Sequence, residues 1–113
     1  TVVGCGGDRD TKKRPLIGNL VSELSSYVIF TSDNPRSENP KEILNQILLG
    51  VSKTNTKKTD VIVKRKKAIE EAYKYSKAGD IVLIAGKGHE NYQESNGTKI
   101  PFDDFKIAKQ IFK

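Results

Sequence analysis

The hydrophobic positions of the chain fall into short continuous runs separated by stretches with helical spacing. The apolar runs lie at 1–5, 27–30, 61–63 and 81–85, and we expect each to form a strand. Their nearly unbroken hydrophobicity is typical of strands buried on both faces of a parallel sheet. The run at 81–85 is the most apolar of the four.

Four helices are predicted between and after these runs. Pro15 and Pro40 are suited to the first turn of a helix, where a missing N–H costs nothing. A third helix is predicted over 65–78, with Gly79 at its C-cap, and a fourth begins at Asp103-Asp104. The apolar positions expected on one face of each helix are Leu16, Leu20, Val21 and Leu24; Ile43, Leu44, Ile47, Leu48 and Val51; Ala68, Ile69, Ala72 and Tyr75, pointing inward; and Phe105, Ala108, Ile111 and Phe112.

The order of these elements predicts an α/β fold. Asn96-Gly97, between two short polar segments, indicates a β-hairpin. Strands that alternate with helices favour a Rossmann-like, mostly parallel sheet with helices on both faces. The hairpin would add an antiparallel C-terminal edge. Residues 1–113 are expected to form a single domain, with a mobile loop at 52–59.

Composition excludes several classes of protein. The 113 residues contain one cysteine, Cys5, and one histidine, His89, which excludes an internal disulfide and a structural zinc site. No apolar run approaches the length of a membrane span, and no signal peptide pattern is present. The chain lacks methionine and begins directly in an apolar run, which suggests a piece of a longer protein. Nothing indicates an oligomer, so a monomer is expected.

The net charge of +6 is concentrated in one stretch, and the rest of the chain is electrically balanced. A net positive charge suggests nucleic acid or another anionic partner. The stretch 53–67 lacks the interleaved aromatic residues of a single-strand platform, and a solvated edge or a helix start is the usual explanation of such a cluster. Its charged residues are Lys53, Lys57, Lys58, Lys64, Arg65, Lys66, Lys67 and Asp60.

Candidate chemistry lies in three polar loops that follow predicted strands. In an open α/β sheet, ligands bind beyond the carboxyl ends of the strands. The first loop, Gly4 to Asp10, is neither a dinucleotide fingerprint nor a phosphate loop, and a tight turn accounts for its glycines. Arg9 is suited to clamp a carboxylate, while Asp8 or Asp10 holds a ribose hydroxyl or a metal-bound water.

The second and third loops add an amide, a guanidinium and a carboxylate. Asp33-Asn34-Pro35-Arg36 is either a simple Asx turn or a rigid turn that presents Asn34 and Arg36 to a ligand. Gly86-Lys87-Gly88-His89-Glu90 allows close backbone approach, and Glu90 would pair with a ligand ammonium group. His89 is as readily explained as a structural residue. The three loops together complement a zwitterionic amino acid, which has either one or two amino-acid ends.

Read in order, these motifs resemble the C-terminal domain of the Mur ligases. The resemblance covers essentially the whole chain and rests on three segments: the first loop with Lys13-Arg14-Pro15, Asp33 to Arg36, and Ala85 to Glu90. It implies a Rossmann-like domain that closes over an active site and brings in the amino acid. The Asp-Asn-Pro-Arg form resembles the diaminopimelate-selecting members. Lysine lacks the distal carboxylate that such an arginine would bind.

The resemblance also implies roles for individual residues. Arg9 and the segment Asp33, Asn34, Pro35 and Arg36 would hold the diamino acid, with Arg36 on its distal carboxylate. Gly86 and Glu90 would receive its distal amine, and Asp8 would lie near the nucleotide. No role is assigned to Lys87 or His89. No catalytic residue and no metal ligand is expected in this chain.

The rest of such an enzyme is expected to lie outside the chain. The resemblance implies an N-terminal domain for UDP-MurNAc-dipeptide and a central domain that binds ATP and Mg²⁺, in the cytoplasm. The substrate to be added would be meso-diaminopimelate or a close isostere such as lanthionine. The isolated chain, which lacks a phosphate loop, is expected to be inactive. A basic nucleic-acid-binding module and an intact small nucleotide-binding enzyme remain as alternatives.

Overall fold

The computed structural model describes residues 1–112 and contains two sheets. Three parallel strands, β1 (Val2–Val3), β2 (Val28–Phe30) and β3 (Thr59–Val61), lie in the order β1-β2-β3. The antiparallel pair β4 (Tyr92–Ser95) and β5 (Thr98–Pro101) forms the second sheet. The helices are α1 (Lys13–Leu24), α2 (Pro40–Leu48), α3 (Arg65–Tyr75) and α4 (Asp104–Ile111), with a short 3₁₀ turn at Thr56–Lys58.

Helices cover both faces of the parallel sheet, as the sequence predicts. Side chains alternate along a strand, so Val3 and Phe30 point to the side of α2, and Val2 and Ile29 point to the side of α3. All four are buried, which accounts for the continuous apolar runs. One core holds Ile43, Leu44 and Ile47 of α2, and the other holds Ala68, Ile69 and Ala72 of α3.

The leucines predicted on one face of α1 do not form its buried face. Leu16, Leu20 and Leu24 are 66%, 58% and 79% exposed, whereas Arg14, Gly18 and Ser22 are buried. The reason is the close approach of α1 to α2, because a Cβ at Gly18 would lie 1.9 Å from the carbonyl oxygen of Ile47. Small residues at this contact leave no room for leucine, so the leucines lie on the side away from the core.

The segment 81–85 pairs with β1 only through an isolated bridge and is less buried than its hydrophobicity predicts. It runs parallel to β1, with backbone hydrogen bonds from Val2 N to Leu83 O (2.8 Å) and from Ala85 N to Val2 O (2.8 Å). Ile81 is 93% exposed and Leu83 is 57% exposed. The segment lies at the outer edge of the described sheet. Val82 and Ile84 pack near α3 and α4, and Ala85 packs against the core on the α2 side.

Several predicted boundaries shift. The first helix begins at Lys13 rather than Pro15, and the third strand lies at Thr59–Val61 rather than 61–63. The third helix ends at Tyr75, with Ser76 as its C-cap, so Gly79 belongs to the following turn, where its φ is +92°. Tyr75 is mostly exposed and stacks on Tyr27, with ring centroids 3.9 Å apart.

The C-terminal part follows the sequence expectations more closely. Asn96 and Gly97 form the hairpin turn with positive φ values of 50° and 78°. Asp103 caps α4 by accepting a hydrogen bond from the Lys106 N–H, although Phe105 of the predicted apolar set is exposed. The hairpin is a separate sheet, attached to the second loop by a bridge between Arg36 and Ser95. No helix within residues 1–112 is long and apolar enough to cross a membrane.

Candidate functional site

The three predicted loops meet at the carboxyl edge of the parallel sheet. Gly7 of the first loop donates its N–H to the carbonyl of Asn34 in the second loop (2.7 Å). The Arg36 guanidinium returns a hydrogen bond to the carbonyl of Gly7 (3.0 Å). The third loop joins through the Asn34 amide, whose Nδ2 lies 3.3 Å from Glu90 Oε1. The expected convergence of the loops is therefore confirmed.

Lys87, to which the sequence assigns no role, lies buried among these loops. It is 3% exposed, and its ammonium group donates to Asn34 Oδ1 and to the Tyr92 carbonyl, both at 2.8 Å. It also lies 3.0 Å from Asp33 Oδ1, at an angle that makes this contact an ion pair rather than a directed hydrogen bond. Lys87 thus connects the second loop, the third loop and the hairpin.

Arg36 is held in an unusual backbone conformation beside the hairpin. Its φ is +52°, a value that side-chain-bearing residues rarely adopt. Its backbone N–H donates to the carbonyl of Glu94 (3.0 Å), and its Nε lies 3.4 Å from Glu94 Oε1. These contacts, with the hydrogen bond to Gly7, use Nε and Nη1 of the guanidinium. Within residues 1–112, Nη2 makes no hydrogen bond to the protein.

Asp8 ties the first loop to the segment after Arg36. Its carboxylate accepts hydrogen bonds from the hydroxyl (2.6 Å) and the backbone N–H (3.3 Å) of Ser37. Asp8 has a φ of +54°, and its own N–H donates to Glu38 Oε2 (2.6 Å). Arg9 is exposed and donates only to the carbonyl of Asp8 (3.2 Å). The predicted nucleotide proximity of Asp8 stays a prediction.

Arg14 and Glu38 hold the first loop through hydrogen bonds to the backbone of Gly6 and Asp8. The sequence motifs predict a role for neither residue. Arg14 is 1% exposed and binds Glu38 through two hydrogen bonds of 2.9 and 2.7 Å. It also donates to the carbonyl of Gly6 (3.0 Å) and to Gln46 (2.8 Å). The hydrogen bonds from Arg14, followed by that from the Asp8 N–H, lower the pKa of Glu38 to about 2. Arg14 lies in the Lys-Arg-Pro segment that carries the family resemblance.

Arg65 is the second supporting arginine, and it corrects the expectation of a solvated basic stretch. It is 1% exposed and forms a bidentate pair with Asp104, with bonds of 2.8 and 2.7 Å. Its guanidinium also donates to the carbonyls of Ser32 (3.2 Å) and Ala85 (3.1 Å). These two residues immediately precede the second and third loops, so Arg65 fixes the point where both loops begin.

The remaining basic side chains of 53–67 lie mostly at the surface. Lys58 is partly buried and donates to the carbonyl of Ser25 (2.8 Å), and the others are exposed. The alternative of a nucleic-acid-binding module therefore rests on the exposed lysines alone, without Arg65. The exposed lysines are Lys53, Lys57, Lys64, Lys66 and Lys67.

Three further predicted residues have distinct surroundings. Gly86 has a φ of +107°, and a Cβ there would lie 3.3 Å from the carbonyl oxygen of Gly4, so a side chain would be strained and crowded. Pro35 is buried, and its carbonyl accepts a hydrogen bond from Glu38 (3.0 Å). His89 is exposed.

A large cavity lies away from these loops. It has a volume of about 530 Å³ and lies between α1, α3 and the start of the 81–85 segment. Leu20, Val21, Tyr75 and Leu83 contribute to its lining, which is mainly apolar. This cavity is at the amino edge of the sheet and lacks convergent charged groups, so the carboxyl edge remains the candidate site.

The fold and the site define an α/β domain that gathers three polar loops at one sheet edge. A family model described as "Mur ligase, glutamate ligase domain" matches residues 1–88. The chain therefore belongs to the Mur ligase family and is a C-terminal domain of that family, which confirms the resemblance noted from the sequence.

Individual relatives agree with this assignment over the full length of the chain. UDP-N-acetylmuramoyl-L-alanyl-D-glutamate--2,6-diaminopimelate ligase of Prochlorococcus marinus is 53% identical over 113 residues, which is 100% of this chain and 22% of the relative. The ligase of the same name from Bacteroides thetaiotaomicron is 51% identical over 112 residues, covering 99% of this chain and 23% of the relative. The chain thus spans less than a quarter of these relatives.

A solved structure is also similar to this chain. It is a structure of a UDP-N-acetylmuramoyl-L-alanyl-D-glutamate--2,6-diaminopimelate ligase, with a TM-score of 0.91 and 44% sequence identity. The match covers 97% of this chain and 22% of that chain. The α/β architecture predicted from the sequence is therefore shared with an experimentally determined structure.

Proposed function

We propose that this chain is the amino-acid-selecting domain of an ATP-dependent ligase in peptidoglycan synthesis. The ligase would add meso-diaminopimelate, or a close isostere, to UDP-MurNAc-L-Ala-D-Glu. The observation that carries the proposal is that the loops of Arg36 and Glu90 meet at one sheet edge, where Arg36 donates to the Gly7 carbonyl and Asn34 donates to Glu90. The names of the relatives described above support the choice of diaminopimelate.

The site offers complementary groups to an amino-acid end. Arg36 has Nη2 available for a carboxylate, and a hydrogen bond between two charged groups is stronger than one between neutral groups. Glu90, with a side chain that is 36% exposed, is suited to accept from an ammonium group near Gly86. Arg9 is exposed at the rim and would contact another carboxylate of the ligand. Asp8 would hold the first loop beside the nucleotide.

The reaction follows from the ends to be joined. The D-glutamate carboxylate would be activated as an acyl phosphate at the expense of ATP. The amine of the diamino acid adds to the acyl carbon and loses a proton to a base outside this chain, and the tetrahedral intermediate then expels phosphate and becomes the amide. In this scheme the chain's own residues bind and orient the diamino acid, which raises the local concentration of the amine. None of them transfers a proton or a phosphoryl group.

ATP and Mg²⁺ are assigned to other parts of the ligase. Residues 1–112 contain no group of three or more His, Cys, Asp and Glu side chains that would hold a metal ion. The sequence also has no phosphate loop. The UDP-sugar substrate would likewise bind outside this chain. We place the ligase in the cytoplasm, as the family resemblance implies.

A substrate comparison tests the proposal. A full-length ligase that carries this chain is assayed for ATP-dependent ligation with diaminopimelate, lanthionine and lysine. Diaminopimelate and lanthionine both have two amino-acid ends, so we expect activity with at least one of them and little with lysine. Preference for lysine would contradict the proposal. The 113-residue chain alone should show no ligation, and measurable turnover by it would refute the assignment of ATP chemistry to other domains.

A further inference from the structure

Lys87 brings a positive charge into the part of the site where the proposed ligand also carries one. Its ammonium group is buried and lies 3.0 Å from Asp33 Oδ1 and 3.9 Å from Glu90 Oε1. Burying a lysine ammonium group costs desolvation free energy, which must be offset by its partners. Lys87 lies between two carboxylates, so its charge is expected to have a structural or functional role. Its neighbours indicate two such roles.

The first role concerns the orientation of the Asn34 side chain. Asn34 Oδ1 accepts from the Lys87 ammonium group (2.8 Å) and from the Glu94 N–H (2.9 Å). Both partners are donors, so the oxygen of the amide must face them, and the reversed amide would set donor against donor. The NH₂ group is consequently turned toward Glu90. Lys87 therefore fixes the donor side of Asn34.

The second role concerns the charge that a ligand meets. Asp33 and Glu90 both carry a negative charge near the same position, which a single ligand ammonium group would only half compensate. Lys87 is closer to Asp33, whose side chain is 12% exposed, than to Glu90, whose side chain is 36% exposed. The lysine thus balances the more buried carboxylate. Glu90 is the more exposed and the more weakly paired of the two carboxylates, and it is left for the ligand.

We propose that Lys87 is a positioning residue for the amine-bearing end of the diamino acid. It neutralises Asp33 and holds the Asn34 amide with its NH₂ group toward Glu90, which orients that carboxylate to receive the ammonium group. This inference rests on the proposed function, since it concerns the same site. It assigns a role to a residue that the sequence motif marks only as the lysine between two glycines.

The first experiment is Lys87→Met in a full-length ligase that carries this chain. Methionine keeps the length of the side chain and removes its charge. We expect the KM for diaminopimelate to rise by at least about tenfold, since a hydrogen bond to a charged group is lost at a site that binds the ligand. The KM values for ATP and for the UDP-dipeptide should stay unchanged, and kcat should change by less than about threefold.

Lys99→Met is the matched control. Lys99 is an exposed lysine of the neighbouring hairpin, and its ammonium group lies 4.6 Å from the ring of Tyr92. Its removal changes the net charge by the same amount but touches neither Asp33 nor Asn34. It should leave the KM for diaminopimelate within about twofold of that of the unaltered enzyme. An equal effect of both variants would overturn the proposal in favour of a general charge effect.

A double variant separates positioning from folding. Lys87→Met alone leaves the buried Asp33 carboxylate unpaired, which destabilises the domain. Asp33→Asn/Lys87→Met removes both charges and should recover most of the thermal stability and part of the affinity for diaminopimelate. If the double variant is as stable as the original chain and the KM equals that of unaltered enzyme, Lys87 positions nothing and the proposal fails.

A spectroscopic measurement on the full-length ligase, with isotope label at its asparagine side chains, tests the same point without catalysis. The side-chain amide signals of Asn34 should shift and lose protection from hydrogen exchange in Lys87→Met or in the double variant, but not in Lys99→Met. Unchanged Asn34 signals would overturn the role of Lys87. A ligase that ignores diaminopimelate would instead refute the proposed function, and these Asn34 signals would still report on Lys87, so the two failures are distinguishable.

Discussion

The guanidinium of Arg65 and the carboxylate of Asp104 form a buried bidentate ion pair with bonds of 2.8 and 2.7 Å. The pair joins the first turn of α3 to the first turn of α4. Because Arg65 also donates to the carbonyls of Ser32 and Ala85, one side chain satisfies four acceptors at the base of two ligand loops. The packing of the helices and the geometry of the site are therefore coupled.

Breaking this pair should destabilise the whole domain. Asp104→Asn leaves the Arg65 charge buried without its counter-ion, and we expect a loss of about 3–5 kcal/mol in the free energy of unfolding. Urea denaturation followed by circular dichroism measures this change. Arg65→Met/Asp104→Leu, which removes both charges, should cost much less than either single variant. Lys66→Met, at an exposed neighbour of Arg65, should leave the free energy of unfolding almost unchanged. A large decrease for Lys66→Met would contradict the assignment of this stability to the buried Arg65 ion pair.

Removing the Arg36 side chain should weaken the binding of the diamino acid. In a full-length ligase, Arg36→Ala is expected to raise the KM for diaminopimelate by at least about tenfold, because a charge-assisted contact to the distal carboxylate is lost. Steady-state kinetics with varied diaminopimelate measures the change. A KM that stays the same while lysine remains excluded would show that Arg36 does not select the carboxylate.

Arg36→Gly provides the control for the backbone. The φ of +52° costs alanine and arginine about 1–2 kcal/mol each, whereas glycine adopts it freely. Arg36→Gly should therefore be more stable than Arg36→Ala by roughly 1 kcal/mol and have the same raised KM. Different KM values for the two variants would point to the loop conformation rather than to the lost guanidinium.

Acid should weaken the support of the first loop through Glu38. Hydrogen bonds from Arg14 and the Asp8 N–H hold the pKa of Glu38 at about 2, well below the ordinary value of 4.5. A carboxylate with a lowered pKa stabilises the folded state fully above its unfolded pKa, and this contribution is lost as the pH falls toward 2. Glu38→Gln should therefore be less stable than the original chain at neutral pH, and the difference should shrink between pH 4.5 and 2.

Thermal denaturation across that pH range measures the convergence. Glu42→Gln, at an exposed glutamate of α2, is the control and should follow the original chain at every pH. If the gap between Glu38→Gln and the original chain were constant from neutral pH to pH 2, the proton linkage at Glu38 would be excluded.

The contact between α1 and α2 should respond strongly to a single methyl group. On helix propensity alone, Gly18→Ala would stabilise α1 by about 1 kcal/mol. A Cβ at this position would lie 1.9 Å from the carbonyl oxygen of Ile47, so we expect a net loss of about 1–3 kcal/mol. Leu16→Gln, on the exposed side of the same helix, should change stability by less than about 0.5 kcal/mol. Denaturant titrations of the two variants test whether Gly18→Ala destabilises the domain more than Leu16→Gln does.

The periodicity of α1 shows where sequence reasoning failed. Leu16, Leu20 and Leu24 have the spacing of a core face, and nothing local to the helix distinguishes them from buried leucines. The buried face is decided by Gly18, because only a residue without a side chain lets two helices approach this closely. The same holds for the segment 81–85, where Ile81 and Leu83 are exposed although Val82 and Ile84 pack against the core.

At the candidate site, the sequence predicts which loops meet but not which charged side chains are buried. The motifs correctly indicate that the loops around Arg9, Asn34 and Glu90 meet, since parallel strands end at a common edge. They do not distinguish a lysine that is buried between carboxylates from one that faces solvent. Lys87 and Arg65 therefore acquire their roles only from partners that are distant in the sequence.

The sequence by itself determined the α/β class, the covered parallel sheet, the hairpin at Asn96-Gly97 and the three loops of the candidate site. These features follow from local patterns: continuous apolar runs, turn residues and the order of elements along the chain. Tertiary structure alone decided which face of α1 is buried, and that Arg14, Arg65 and Lys87 are enclosed rather than solvated. The physical reason is that burial of a charge depends on whether the fold brings an acceptor to it, and Glu38, Asp104 and Asp33 come from remote parts of the chain.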